Sequence, residues 1–238
     1  MPALVEAGYR VIVPDHAGHG ASARLFRPFG VSDIADDTEL LLAHLDIERL
    51  DVVGLSLGGM VALELALRHP TRIQRLVVAN SFDKTATPEF GSMAEGWATV
   101  FERPHGPVTR LEQNWLASVS PSFQATADGM RTYQIWHGIA ATSDGASLAH
   151  VARGMTTFDV STRIAELAMP ILFIAGSLDK MSPPEFSRRM AAQATHGKLS
   201  IIEGAAHISN ADSSDEFTAR LLAFLQTDHA AADLRADD

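Results

Sequence analysis

The sequence predicts an α/β fold: a mostly parallel sheet with helices on both faces and a helical cap inserted between two of its strands. Three observations carry that expectation. Short apolar runs at residues 50–55, 75–80, 170–176 and 198–202 alternate with helix-like segments, the pattern of βα units whose strands are covered on both faces. The first of these runs ends in Gly54-Leu55-Ser56-Leu57-Gly58-Gly59, a G-x-S-x-G spacing at a strand-to-helix junction. From Ser81 to about Glu166 strand-like runs stop, and helical patches holding all three tryptophans take their place.

Composition bounds the function. With 238 residues, 46% of them hydrophobic, and a mean hydropathy of +0.05, the chain can build one sizeable domain with a full core, or one domain carrying an insertion. A net charge of −10 and a pI near 5.4, without clustered Lys and Arg, argue against nucleic acid or an anionic membrane as partner. Cysteine is absent, which excludes disulfides, thiolate nucleophiles and Cys-based metal sites. Neither a leader nor an apolar run of transmembrane length is visible, so a cytoplasmic location is expected. The oligomeric state stays open.

In chain order, residues 1–7 read as the last turns of a helix closed by Gly8, and residues 9–14 as a buried strand. Residues 15–22, Asp-His-Ala-Gly-His-Gly-Ala-Ser, form a polar turn; two histidines three apart without a third ligand do not suggest a metal. Ser32 and Asp33 are expected to cap a helix with Ile34, Thr38, Leu41, Leu42 and Leu45 on its apolar face. The helix over 60–69 is apolar nearly all round, as burial against a sheet requires, and Pro70 stops it. Helical patches at 91–101, 108–119, 130–139 and 146–155 make a cap over 83–166 between core segments 1–82 and 167–226. Its rings, Trp97, Trp115 and Trp136, are candidates to line a pocket at the strands' carboxyl ends. Ser182 with Glu185 and Ser213 with Glu216 read as capping boxes, and residues 227–238, acidic and Ala-rich, as a disordered tail.

Chemistry concentrates at one rim. Ser56, Asp179 and His207 each fall just past a strand's carboxyl end, where loops of a parallel sheet converge. A serine hydroxyl needs an imidazole to take its proton, and the imidazole needs a carboxylate to fix its tautomer and stabilise its cation. The order serine, acid, histidine is the one expected with this elbow. Small residues flanking Ser56 are expected because a Cβ two positions away would collide with its surroundings. The Leu57 N–H, opening the following helix, is placed to donate to an oxyanion. Asp83 also follows a strand and is the alternative acid; Asp179 is preferred because it sits in a tight turn between Gly176 and Pro184.

Together these residues resemble a family. The whole chain looks like an α/β-hydrolase, and residues 15–22, 54–59, 176–184 and 204–210 look like the 3-oxoadipate enol-lactonase branch. The resemblance implies Ser56 as nucleophile, Asp179 as acid, His207 as base and the Leu57 N–H as one oxyanion donor. It implies hydrolysis of a small-molecule substrate, an enol-lactone or related ester, without cofactor. The triad alone does not separate this from carbon–carbon bond hydrolysis, acyl transfer or cofactor-free peroxidation, nor from a non-catalytic ligand-binding relative or inactive fragment. Arg103, Arg110, Arg131 and Arg153 are candidates to meet a substrate carboxylate.

One departure concerns the front. Proteins of this kind begin with further strands and a His-Gly loop whose backbone gives a second oxyanion donor, and the present sequence starts inside the helix after that loop. The expectation is either a longer gene product or direct pairing of the strand at 9–14 with that at 50–55. Losing the donor would cost about 3–4 kcal/mol of transition-state stabilisation.

Overall fold

The computed structural model describes residues 2–227. Four parallel strands form one sheet in the order β1 (Leu50–Leu55), β2 (Ile73–Ala79), β3 (Ile171–Gly176), β4 (Gly197–Ile202). Their side chains alternate between two cores, as the two-residue period of a strand dictates. Leu76, Val78, Ile171 and Phe173 face a core shared with α2 (Val31–His44), α3 (Leu57–Arg68) and α9 (Pro184–Gln193). Val77, Ala79, Leu172 and Ile174 face the other, closed by Phe217, Leu221, Phe224 and Leu225 of α11 (Ser214–Leu225), which follows the short α10 (Ser209–Asp212). Each such buried side chain contributes about 1.5–3 kcal/mol, so the sheet is the stable frame from which the loops project.

Between β2 and β3 run no strands but an isolated antiparallel bridge, Lys84 with Asp159, two 3-10 turns and five α-helices: α4 (Pro88–Phe101), α5 (Gly106–Ser118), the short α6 (Pro121–Gln124), α7 (Ala127–Thr142) and α8 (Gly145–Gly154). Thr87, Ser120, Thr126 and Asp144 cap α4, α6, α7 and α8 by accepting from N3 backbone N–H groups, which satisfies donors that a helix cannot pair internally. No helix among the described residues is long and apolar enough to cross a membrane.

Several local expectations are corrected. Residues 9–14 are not a buried strand: they have no strand pairing and Val13 is 70% exposed. A strand needs a ladder for its backbone N–H and C=O groups, and among the described residues β1 is an edge, its outer side unpaired and its Val53 43% exposed. The direct pairing of 9–14 with β1 therefore does not occur either. The short helix before it, α1 (Pro2–Glu6), does end at Gly8, whose φ of 90° lets its N–H reach Val5 O at 2.9 Å. Helix α2 is capped not by Ser32 but from Gly30, whose N–H donates to Asp33 Oδ2 at 2.7 Å. Neither later capping box forms: Pro183 occupies the N-cap of α9, and Ser213 makes no side-chain bond at the N-cap of α11. The Ser182 hydroxyl instead donates to Asp179 Oδ2 at 2.7 Å, since an ionised acceptor outcompetes a neutral one. Apart from Thr227, the tail expected to be disordered lies outside the described residues.

Candidate active site

Ser56 joins β1 to α3 with φ 53° and ψ −118°, a backbone region that costs a non-glycine residue about 1–3 kcal/mol unless its surroundings enforce it. They do. The Ser56 N–H donates to Ala79 O at the end of β2 (2.9 Å), and Ser56 O accepts from Ser81 Oγ (2.7 Å), Gly59 N (2.9 Å) and Met60 N (3.2 Å). A Cβ at Gly54 would run into the Gly58 carbonyl, and one at Gly59 into Ser81. At Gly58 a Cβ would meet nothing within 4 Å, so the crowding expected on both sides of the serine falls on Gly54 and Gly59. Gly54→Ala is accordingly expected to destabilise the fold by at least about 1–3 kcal/mol through forced backbone shifts. Gly58→Ala is expected to be neutral or to stabilise by up to about 1 kcal/mol, because alanine is the better helix former; urea unfolding of the two variants checks both.

His207 stands in the loop after β4. That loop turns at Gly204, φ 77°, and passes so close to β3 that a Cβ on Gly176 would strike the carbonyls of Ala205 and Ala206. The imidazole is 3% exposed, with Nε2 2.9 Å from Ser56 Oγ and Nδ1 2.9 Å from Asp179 Oδ2. Asp179 lies in the loop between β3 and α9. Its Oδ1 accepts from Met181 N (2.8 Å) and Ser182 N (3.0 Å), and its Oδ2 from Ser182 Oγ (2.7 Å) and Asn80 Nδ2 (2.9 Å) as well as from the imidazole. Burial pushes the Asp179 pKa up, but donation and charge from His207, with the Asn80 and Ser182 bonds, outweigh it and hold the carboxyl below its ordinary value. It is an anion with donors on both oxygens.

Asp83 stands apart from this chain of contacts. It is fully buried, and Arg189 engages both its carboxylate oxygens, one of them from Nε at 3.2 Å. The structure therefore brings Ser56, Asp179 and His207 together and leaves Asp83 in a separate ion pair.

A cavity of about 700 Å³ opens over Ser56 and His207, walled mainly by apolar side chains from the helices between β2 and β3. Trp97 and Trp136 line it; Trp115 does not, being buried behind Trp136 in an edge-to-face contact at 5.8 Å. Of the four candidate arginines only Arg110 reaches this cavity. Arg153 is held by Glu95 and Glu102, Arg131 by Asp128, and Arg103 lines a different, smaller pocket of about 290 Å³. Leu57 lines the cavity beside Ser56 as the first residue of α3, where its N–H has no intrahelical acceptor.

Four participants lie outside the sequence-predicted site residues: Asn80, Ser182, Ser209 and His19. Asn80, at φ 46°, links Asp179 to Ser209, whose Oγ donates to Asn80 Oδ1 at 2.6 Å. Ser182, which its spacing to Glu185 marks as a helix cap, serves the Asp179 carboxylate instead. His19, from the polar turn, lines the cavity. A buried polar residue directly after a strand, such as Asn80, is the one hint a sequence could offer.

Comparison with known proteins places the fold in a family. Residues 1–214 match a protein family described as the alpha/beta hydrolase fold. A protein of Agrobacterium fabrum named carbamate hydrolase RutD is 28% identical over 224 residues, covering 91% of this chain and 83% of the relative. The 3-oxoadipate enol-lactonase 2 of Acinetobacter baylyi is 27% identical over 214 residues, covering 88% and 76%. Among solved structures, a thermophilic esterase of Thermogutta terrifontis superposes with a TM-score of 0.87 at 24% identity, over 94% of this chain and 84% of that one. With a family match spanning nearly its whole described length and relatives named as hydrolases, the chain belongs to the α/β-hydrolase fold family.

Proposed function

We propose that the protein is a serine hydrolase that cleaves small carboxylic esters or lactones through an acyl-enzyme on Ser56. The observation that carries this is the continuous hydrogen-bonded chain from Ser56 Oγ through both nitrogens of His207 to Asp179, buried beneath an apolar cavity. In this reading the substrate carbonyl lies over Ser56. As Oγ attacks, its proton passes to His207 Nε2, and Asp179 stabilises the imidazolium. The Leu57 N–H at the positive end of α3 donates to the carbonyl oxygen as it becomes an oxyanion.

Collapse of the tetrahedral adduct breaks the carbon–oxygen bond, and the imidazolium protonates the departing alkoxide. In a lactone that alkoxide stays tethered to the acyl group. Water, activated by the same imidazole, then attacks the acyl-enzyme and releases the acid and Ser56. The helical segment between β2 and β3 serves as a cap that keeps the reacting carbonyl dry, which strengthens each of these electrostatic contacts. No cofactor takes part in these steps, and the partner is a small-molecule substrate. A carbamate, the group in the name of one relative, would undergo the same attack.

The test is intact mass of the folded protein after exposure to a fluorophosphonate, with Ser56→Ala alongside. A single adduct on the parent that is missing from the variant is the expected result. No adduct on a chain shown to be folded by circular dichroism would replace this reading with that of a ligand-binding protein.

A further inference from the structure

The cavity over Ser56 has one partly buried cation in its wall that no lining carboxylate balances. Arg110, on α5, lines it, and its guanidinium carbon lies over the Trp97 ring, 4.9 Å from the centroid. Trp97 is itself fixed by an edge-on contact with Phe90 at 5.7 Å, so the platform beneath the cation is rigid. Among the described residues no hydrogen bond or ion pair is formed by the Arg110 side chain, and neither Asp nor Glu lines the cavity. The other described arginines without an ionic partner, Arg10, Arg49, Arg103 and Arg188, are exposed and solvated. Arg110 is partly buried in an apolar wall.

Such a group is expensive. A guanidinium presents five donors in a planar fork, and withdrawing them from water without acceptors costs free energy that stacking on an indole returns only in part. Burial is the one influence acting on its pKa, drawing it below the usual arginine value with no neighbouring carboxylate to oppose it. In a protein of net charge −10 that pairs most of its described arginines, a cation left unpaired in the wall of the cavity that also holds the candidate nucleophile is suited to a ligand that brings the missing anion. A carboxylate can engage the fork through two parallel bonds.

We propose that Arg110 is a specificity-determining residue that binds a free carboxylate of the substrate, so that the favoured substrates are esters or lactones bearing a second, ionised acid group. This rests on the hydrolase reading above for the word substrate, while the carboxylate site itself does not. Lys180 also lines the cavity but is exposed, so water already solvates it.

The experiment has two arms. In the first, kcat/KM is measured for 4-nitrophenyl hydrogen glutarate and for 4-nitrophenyl butyrate, and the acidic-to-neutral ratio is compared among the parent, Arg110→Gln, Arg110→Lys, Lys180→Gln and Arg103→Gln. The ratio is expected to fall about 10- to 100-fold in Arg110→Gln, the range of a charged hydrogen-bonded contact. It should fall less in Arg110→Lys, which keeps the charge without the fork, and hold in Arg103→Gln. Collapse of the ratio in Lys180→Gln with none in Arg110→Gln, or an equal loss on both esters, overturns the assignment.

In the second arm, calorimetry measures binding of monomethyl glutarate and dimethyl glutarate to the folded Ser56→Ala variant, with and without Arg110→Gln. The monoanion is expected to bind at least about 10-fold more tightly than the diester, and the second substitution to remove that margin. Equal or absent binding of the two overturns the carboxylate site whatever the kinetics. Monoanion binding without Ser56-dependent hydrolysis of either aryl ester keeps the site and overturns the hydrolase reading alone.

Discussion

Replacing Ser56 by alanine is expected to lower kcat for a short-chain aryl ester on the order of 10⁴- to 10⁶-fold, with KM nearly unchanged. The loss is this large because His207 and Asp179 act only through the Ser56 hydroxyl. With Oγ gone, the imidazole 2.9 Å away has no nucleophile to deprotonate, and what remains is the Leu57 N–H and the apolar cavity. KM should hold because the cavity walls are untouched. Stability should change by no more than about 1 kcal/mol, since the Ser56 backbone stays pinned by Ala79 and Ser81 and one partly exposed hydrogen bond is lost.

Ser56→Gly separates strain from chemistry. It is equally inactive, yet it accepts φ 53° without the penalty paid by a side chain, and should be more stable than Ser56→Ala by roughly 1 kcal/mol or more. Steady-state kinetics with urea unfolding of both variants checks the pair. Equal stabilities would mean that the strained turn does not cost what its dihedrals imply.

What could be read in the sequence follows how far apart the interacting residues lie. The strands β1 to β4 and helices α2 to α5, α7 and α8 announce themselves through periodicity, which is local, and the serine elbow through glycine spacing, also local. Asp179 and His207 were reachable because a parallel sheet sends every strand's carboxyl end to one rim. Asn80 was not: its bonds to Asp179 and Ser209 span 99 and 129 residues, and nothing within its own neighbourhood encodes them. Residues 9–14 show the opposite failure. Their apolar pattern is that of a strand, but strand formation is a property of a pair, and β1 offers an edge with no ladder reaching them. Capping was misjudged for a similar reason, since Ser182 obeys a carboxylate that only tertiary structure brings within reach.

Asp179→Asn is the second substitution with a large expected effect, about 10⁴-fold in kcat, and the hydrogen-bond pattern says why. Both backbone donors on Oδ1, Met181 N and Ser182 N, are fixed by the turn, so the amide oxygen of asparagine must take that side. Its NH₂ then occupies the Oδ2 position and faces His207 Nδ1 as a donor. The imidazole has to present Nδ1 unprotonated and carry its proton on Nε2, which then cannot accept the proton of Ser56. The same NH₂ would also confront the donors Asn80 Nδ2 and Ser182 Oγ, adding a cost in stability of about 1–3 kcal/mol for groups left unpaired. That cost depends on pH with a definite sign. The folded pKa of Asp179 lies below its ordinary value, so the carboxylate's contribution is complete above the unfolded value of about 3.9 and is lost as pH falls through the lower folded one. The stability gap between parent and variant should therefore narrow only in acid below about pH 4. Asp83→Asn is the control: it breaks the ion pair with Arg189 and should cost stability while leaving kcat/KM within about 3-fold, because Asp83 makes no contact with the imidazole. An Asp83 variant that lost activity as Asp179→Asn does, at unchanged stability, would move the acid's role to the other carboxylate.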